Sequence, residues 1–355
     1  MVSVERFKKL NTYFEKECEL ICRNIPACKL FRNQKILITG AGGLMGSYLT
    51  RVVDYINRKE KLNLDIYILA RSRKSLSRLF GILDRLHYIE GDLGDDRLKI
   101  DKKFDFIFHL ASNASPNKYS IDPVGTILPN IIGVLSLSKY INEHGKFVFI
   151  SSGEVYGVMP ESKVISEEIF GSLNPCDLRS CYGESKRMGE NLLISLAREK
   201  KFTGVVLRPF HSYGGYVSND DARIFSEIIR SASLGKDIAL TSDGSATRPF
   251  CYLGDVVEGI IKGVIYGRAN EAYNLAKPDA VISIKALAEL VAKIDCVSSK
   301  VTTKSQMDNY LKSPILHQLV SIEKAKDELG WYPSTSLHDG FVRSIELQRI
   351  VNNLG

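Results

Sequence analysis

No stretch of this 355-residue chain approaches the roughly 18–20 apolar residues that a helix needs to cross a bilayer, so no membrane span is expected. The opening residues carry Glu5, Lys8 and Lys9 where a secretory signal would carry an apolar core. Seven cysteines, at positions 18, 22, 28, 176, 181, 251 and 296, are odd in number, scattered and never spaced C-x-x-C. That sets aside a disulfide framework and points to free thiols in a reducing cytoplasm. Cys18 and Cys22 are one helical turn apart, but no second ligand pair follows. The six histidines form no H-x-x-H or H-E-x-x-H, so no metal site is expected. There is no internal repeat and no low-complexity linker. The net charge of +7 is spread along the chain, with only short basic clusters such as Arg71-Ser72-Arg73-Lys74. Nucleic acid is therefore not an expected partner; a small anionic substrate suits the charge equally well.

What remains is an ordinary globular composition, 44% hydrophobic and 25% charged, with length enough for a real core. Val4, Phe7, Leu10, Phe14, Cys18 and Ile21 recur every three to four residues. The spacing predicts an amphipathic helix over 4–22, packed on its own domain or on a second subunit. Beyond this extension (residues 1–34), apolar runs alternate with helical patterns. Strands are expected at 35–39, 65–69, 87–93, 104–110, 147–150 and 204–207. Helices are expected at 47–53, 122–140 (kinked or restarted at Pro129), 186–196, 224–234, 255–266, 283–295, 323–329 and 337–351. This alternation predicts an α/β chain: a Rossmann-type doubly wound parallel sheet over 35–210, then a smaller α/β substrate-binding part over 211–355. Some segments of the second part return to the first.

Two patterns carry chemistry. Gly40, Gly43 and Gly46 lie between a strand and a helix, as in a loop whose backbone approaches a pyrophosphate at a helix N-terminus. Leu44 and Met45 belong to the same loop. The second pattern starts at Ser151-Ser152, after the apolar run Phe147–Ile150. Tyr182 and Lys186 follow, spaced i, i+4 so that they share one helix face. An ammonium beside a phenol favours the phenolate. Next to Ser152, Tyr182 could then take the proton of a sugar alcohol while a nicotinamide takes the hydride. Leu110, Ala111 and Ser112, at the end of the fourth strand, suit close approach of a cofactor, and Asp92 suits an adenine amino group. The second strand ends in Arg71-Ser72 instead of an acidic residue, which tilts the cofactor choice between NAD and NADP toward NADP. His109, flanked by apolar residues, is expected to be a satisfied core histidine.

These residues and their order resemble the extended short-chain dehydrogenases of the NAD-dependent epimerase/dehydratase family, which modify nucleoside-diphosphate sugars. The likeness runs from Lys35 to about residue 350. It is carried by Thr39-Gly40-Ala41-Gly42-Gly43-Leu44-Met45-Gly46, His109-Leu110-Ala111-Ser112, Ser151-Ser152 before Val155-Tyr156-Gly157, and Tyr182-x-x-x-Lys186. Leu207-Arg208-Pro209-Phe210, Thr247-Arg248-Pro249-Phe250 and Leu329-Gly330-Trp331-Tyr332-Pro333 extend it. Ala114-Ser115-Pro116 and Arg179-Ser180-Cys181-Tyr182 are most similar to UDP-glucuronate decarboxylases. The resemblance implies transient C4 oxidation of a nucleotide sugar by Tyr182 and Ser152, with Glu154 as later base or proton shuttle. It implies Ser115, Arg179, His211, Arg223 and Arg248 as substrate contacts, and a homodimer. Decarboxylation leads; 4-epimerisation and 4,6-dehydration remain open, and so does a non-catalytic cofactor sensor. Two departures stand out. Gly153 offers no proton donor but offers space for a sugar to rotate, and His211 replaces the usual Asn.

Overall fold

The computed structural model describes residues 4–79, 81–95, 97–219, 221–294, 299–303 and 317–352. Seven strands form one parallel sheet: β1 (Lys35–Thr39), β2 (Asp65–Ala70), β3 (His87–Glu90), β4 (Phe104–His109), β5 (Ile141–Ile150), β6 (Thr203–Pro209) and β7 (Glu271–Leu275). Their order is β7-β6-β5-β4-β1-β2-β3. The helices are α1 (Val4–Cys22), α2 (Leu44–Glu60), α3 (Pro116–Ile121), α4 (Pro123–Leu137) and α5 (Ser180–Lys200). They continue as α6 (Ile224–Ser233), α7 (Leu253–Tyr266), α8 (Ile284–Ala292), α9 (Glu323–Leu329) and α10 (Leu337–Asn352). The helix expected at 283–295 is therefore shorter. Residue 295, Cys296 and the side chains of Val4 and Phe7 lie outside what is described.

The period of two along each strand explains the layers. Ile36, Ile38, Phe106, Phe108, Val148 and Ile150 point into a core shared with α1, α2 and α7. Their neighbours Leu37, Ile107, Phe147 and Phe149 point the other way, against Val134 of α4 and Leu193 of α5. A third core, holding Phe225, Ile228, Leu287, Val291 and Phe341, joins α6, α8 and α10 in the later part of the chain. The amphipathic α1 packs on α2, α7 and α10 of its own chain and buries Leu10, Phe14, Cys18 and Ile21.

Two departures from expectation have local causes. β7 has too few consecutive apolar residues to announce itself, yet it pairs with β6 from Glu271↔Val205 to Leu275↔Pro209. The other is α4, which runs through Pro129 without a restart. Proline has no N–H to give the carbonyl one turn back, that of Gly125. Asn113 Nδ2 donates to that carbonyl instead, at 3.0 Å.

Candidate active site

The site lies where the carboxyl ends of β1, β4 and β5 meet. The turn after β1 is built for close approach. Gly40 has φ +69, and a Cβ there would meet Ala111 N at 2.7 Å. At Gly42 a Cβ would meet Ser75 O at 2.1 Å. Gly43 caps α2, which starts at Leu44, earlier than expected, and carries Met45 and Gly46 in its first turn. Arg78 Nη1 donates to Gly42 O at 3.1 Å and braces the loop from outside.

The loop after β4 is fixed by a proton assignment. His109 Nε2 lies 2.9 Å from Pro129 O, which can only accept, so Nε2 carries the proton. Nδ1 then accepts from Thr39 Oγ1 at 2.8 Å. A lone pair of that hydroxyl is left for Ala111 N, which donates at 3.3 Å. Burial, and then the charge of Lys186, push His109 down to about 3, so it stays neutral. His109 is thus a satisfied core residue, as expected, and it positions Leu110, Ala111 and Ser112. Ser112 Oγ is buried and has no hydrogen-bond partner among the described residues. A glycine cradle at a helix N-terminus, together with a buried hydroxyl lacking a partner, fits a dinucleotide. Arg71 and Asp92 stand exposed just beyond β2 and β3; Asp92 Oδ1 accepts from Gly94 N at 2.8 Å.

Ser152 follows β5 and caps a single 3-10 turn, Gly153–Tyr156, accepting from Glu154 N at 3.2 Å. Tyr182, in the first turn of α5, hydrogen-bonds Ser152. Burial drives the phenol up to about 12; the Ser152 bond and Arg223 oppose this, and Glu154 reinforces it. The lowering expected from Lys186 is not found: the phenol is raised, and burial, Ser152, Glu154 and Arg223 account for the shift. The Lys186 ammonium lies 5.7 Å from the Tyr182 ring centroid and donates to Ile150 O at 2.6 Å. Burial pulls Lys186 down to about 7, and Glu190 opposes that fall.

Arg179 Nη2 is 3.6 Å from Glu154 Oε1 and lies over the ring of Tyr119. Tyr119, on α3, stacks on Tyr182 with centroids 5.2 Å apart and planes 14° from parallel. No sequence pattern pointed to Tyr119. Its role arises because α3 folds over the start of α5. Ser152, Glu154, Arg179, Tyr182 and Lys186 therefore come together, with Arg223 close enough to act on Tyr182. Arg223 is itself held by Asp221, at 2.6 Å. His211 and Arg248 form a second group. His211 has φ +34, and its Nε2 is 2.6 Å from Oε1 of buried Gln318, another residue that no pattern indicated. Burial, and then Arg248, push His211 down to about 3. Arg248 Nη1 donates to Thr247 O at 2.7 Å. Ser115 is half-buried in the loop before α3.

The space expected beside Gly153 is not there. A Cβ at this position would come within 2.5 Å of the Phe210 ring, which stacks on Tyr156. The glycine makes room for Phe210, not for a rotating sugar.

Residues 36–276 match the NAD dependent epimerase/dehydratase family. UDP-glucuronic acid decarboxylase 3 of Arabidopsis thaliana is 31% identical over 325 residues, covering 90% of this chain and 89% of that protein. UDP-glucuronic acid decarboxylase 6 of the same plant is 32% identical over 314 residues, 87% of each chain. Among solved structures, UDP-glucuronic acid 4-epimerase from Bacillus cereus, in complex with UDP-glucuronic acid and NAD, superposes with a TM-score of 0.73. It is 22% identical, and the match covers 89% of this chain and 99% of that one.

Proposed function

This chain belongs to the NAD dependent epimerase/dehydratase family, and from that premise we propose that it decarboxylates UDP-glucuronate or a close relative through transient oxidation at C4. The observation that carries the reading is the cluster of Arg179, Glu154 and Tyr182, in which a guanidinium stands 3.6 Å from a carboxylate beside the proton-accepting phenol. Arginine suits a sugar carboxylate through its fork of donors. Similarity to decarboxylases over most of the chain supports the same choice. Gly153 lacks a side chain to protonate a departing C6 hydroxyl, which counts against dehydration. Phe210 fills the space that would have favoured epimerisation.

In this reading Tyr182 acts in its phenolate form: Oη takes the proton of the C4 hydroxyl, and Ser152 Oγ holds that hydroxyl in line. A bound nicotinamide cofactor supplies reversible hydride acceptance, so it is recycled in each turnover. A C4 ketone is β to the C6 carboxylate; when the C5–C6 bond breaks, carbon dioxide leaves and the electron pair passes to the ketone oxygen. Glu154 takes up a proton from solvent and delivers it to C5, and Tyr182 returns its proton to O4. Arg179 orients the carboxylate before it leaves. Ser115, Arg223, His211 and Arg248 contact the rest of the substrate. The division at residues 34 and 210 separates extension, cofactor half and substrate half. A second copy docks on α4 and α5 beside the end of α3, where Ile121 of α3, Val124 and Leu135 of α4 and Met188 of α5 are exposed. Among the described residues no helix is long and apolar enough to cross a membrane; a cytoplasmic location belongs to the same proposal. So does a preference for NADP carried by Arg71 and Ser72, although the family description names NAD.

The test is mass spectrometry of the product from UDP-glucuronate with catalytic amounts of NAD, repeated with NADP. Loss of carbon dioxide is expected. An isomer of unchanged mass would make the protein an epimerase. No turnover of UDP-glucuronate, with loss of water from a neutral hexose, would make it a dehydratase.

A further inference from the structure

Behind the candidate site lies a buried polar chain that the mechanism above does not use. Glu190 sits one helical turn after Lys186 on α5, and both are buried. Its Oε1 accepts from Ser151 Oγ, the neighbour of Ser152. Arg208, at the end of β6, grips the same carboxylate from the other side, with Nε at 3.0 Å from Oε1 and Nη2 at 2.6 Å from Oε2. Arg208 Nη1 also donates to Tyr156 OH at 2.7 Å, and Tyr156 donates to Asn274 Oδ1 of β7 at 2.7 Å. One carboxylate therefore ties α5 to the ends of β5 and β6, between Ser152 and Lys186.

The charge arrangement is uneven. Among the described residues, the Lys186 ammonium is paired directly only with a carbonyl, that of Ile150. The titratable and charged groups that face it, among the described residues, are neutral His109 from β4, Tyr182 and Glu190 from α5, and, behind Glu190, Arg208 from β6. On the β5 side it meets the Phe149 ring, 4.6 Å away. Glu190 is the one anion in this set, and it is shared with a guanidinium.

We infer that Glu190 is a positioning residue for the Tyr182–Lys186 pair: it clamps Ser151 and α5 together and supplies the negative charge that keeps the buried Lys186 ammonium protonated. Arg208 sets how much of that charge Lys186 receives. The inference rests on Tyr182 and Lys186 being the catalytic pair, not on the identity of the sugar.

Charge logic gives opposite signs for the two partners. Glu190→Gln removes the anion, so Lys186 loses its proton at lower pH. Arg208→Gln removes the competing cation, so Lys186 holds its proton to higher pH. Each midpoint should move by about one unit. The direct readout is the Nζ resonance of Lys186 in 15N-lysine-labelled protein, titrated without substrate and assigned against Lys186→Met. In parallel, the alkaline limb of kcat should move down for Glu190→Gln and up for Arg208→Gln. Shifts of the same sign, or no shift in either variant, would overturn the inference, as would a loss of kcat equal at every pH. If Glu190→Gln does not fold, Arg208→Gln decides alone: an unmoved or lowered Lys186 midpoint overturns the assignment. The titration needs no turnover, so a wrong substrate leaves it intact.

Discussion

Two tyrosines buried to a similar extent sit in opposite surroundings. Tyr252, at the seam where α1 meets α7 and α10, donates to Glu17 Oε1 at 2.5 Å, while Arg343 lies over its ring and 4.0 Å from Glu17. Tyr182 hydrogen-bonds a serine hydroxyl and stacks on a second tyrosine. Burial is the leading cause that raises both phenols. The difference lies in the partner. The proton of Tyr252 is committed to a buried carboxylate that has nowhere to send it. A hydroxyl such as Ser152 both accepts and donates, so a proton at Tyr182 can move on. Burial of a tyrosine thus says little about its role until its partner is known.

Exchange of each hydroxyl for hydrogen is the strongest way to break this comparison. Tyr182→Phe should lower turnover by about 10²- to 10⁴-fold and leave the melting temperature unchanged. Loss of fold in that variant would mean that Tyr182 is structural. A pair of glycines sharpens the contrast. Gly42→Ala places a Cβ 2.1 Å from Ser75 O and should weaken cofactor binding about tenfold or more, read by calorimetry. Gly340→Ala places one 2.1 Å from Tyr213 OH, against the seam, and should lower stability while cofactor affinity holds. Tyr252→Phe strips Glu17 of its donor and should destabilise by about 1–3 kcal/mol in urea unfolding, with kcat retained. Glu17→Gln should have the smallest effect. Burial raises the Glu17 carboxyl above its unfolded value, so its contribution is present at low pH and is lost as pH rises through the folded value. The melting temperature of the variant should depend less on pH across that window. A slope equal to that of the wild type would assign the pH dependence to other groups.

The sheet was legible wherever strands were apolar runs. β1, β2, β4, β5 and β6 announced themselves, because strands covered on both faces need little polar alternation. β7 was not legible. Its Tyr273 and Asn274 find partners in Glu328 and Tyr156, far along the chain, and no local pattern encodes that. The same limit governed the site. Ser152, Tyr182 and Lys186 were readable from spacing along one strand end and one helix face. Tyr119, Gln318 and the Glu190–Arg208 clamp depend on which elements meet, as does the space around Gly153, which an aromatic ring from the end of another strand occupies.

The tie between α1 and α10 bears on how the molecule is made. Tyr13 OH donates to Arg343 O at 2.9 Å. A ribosome delivers residue 13 long before residue 343. Throughout that interval Phe14, Cys18 and Ile21 have α2 to lean on, but the far side of their seam is missing. The nascent chain therefore carries an unfinished apolar edge until α10 has emerged, a stretch of time in which chaperones have the most to bind.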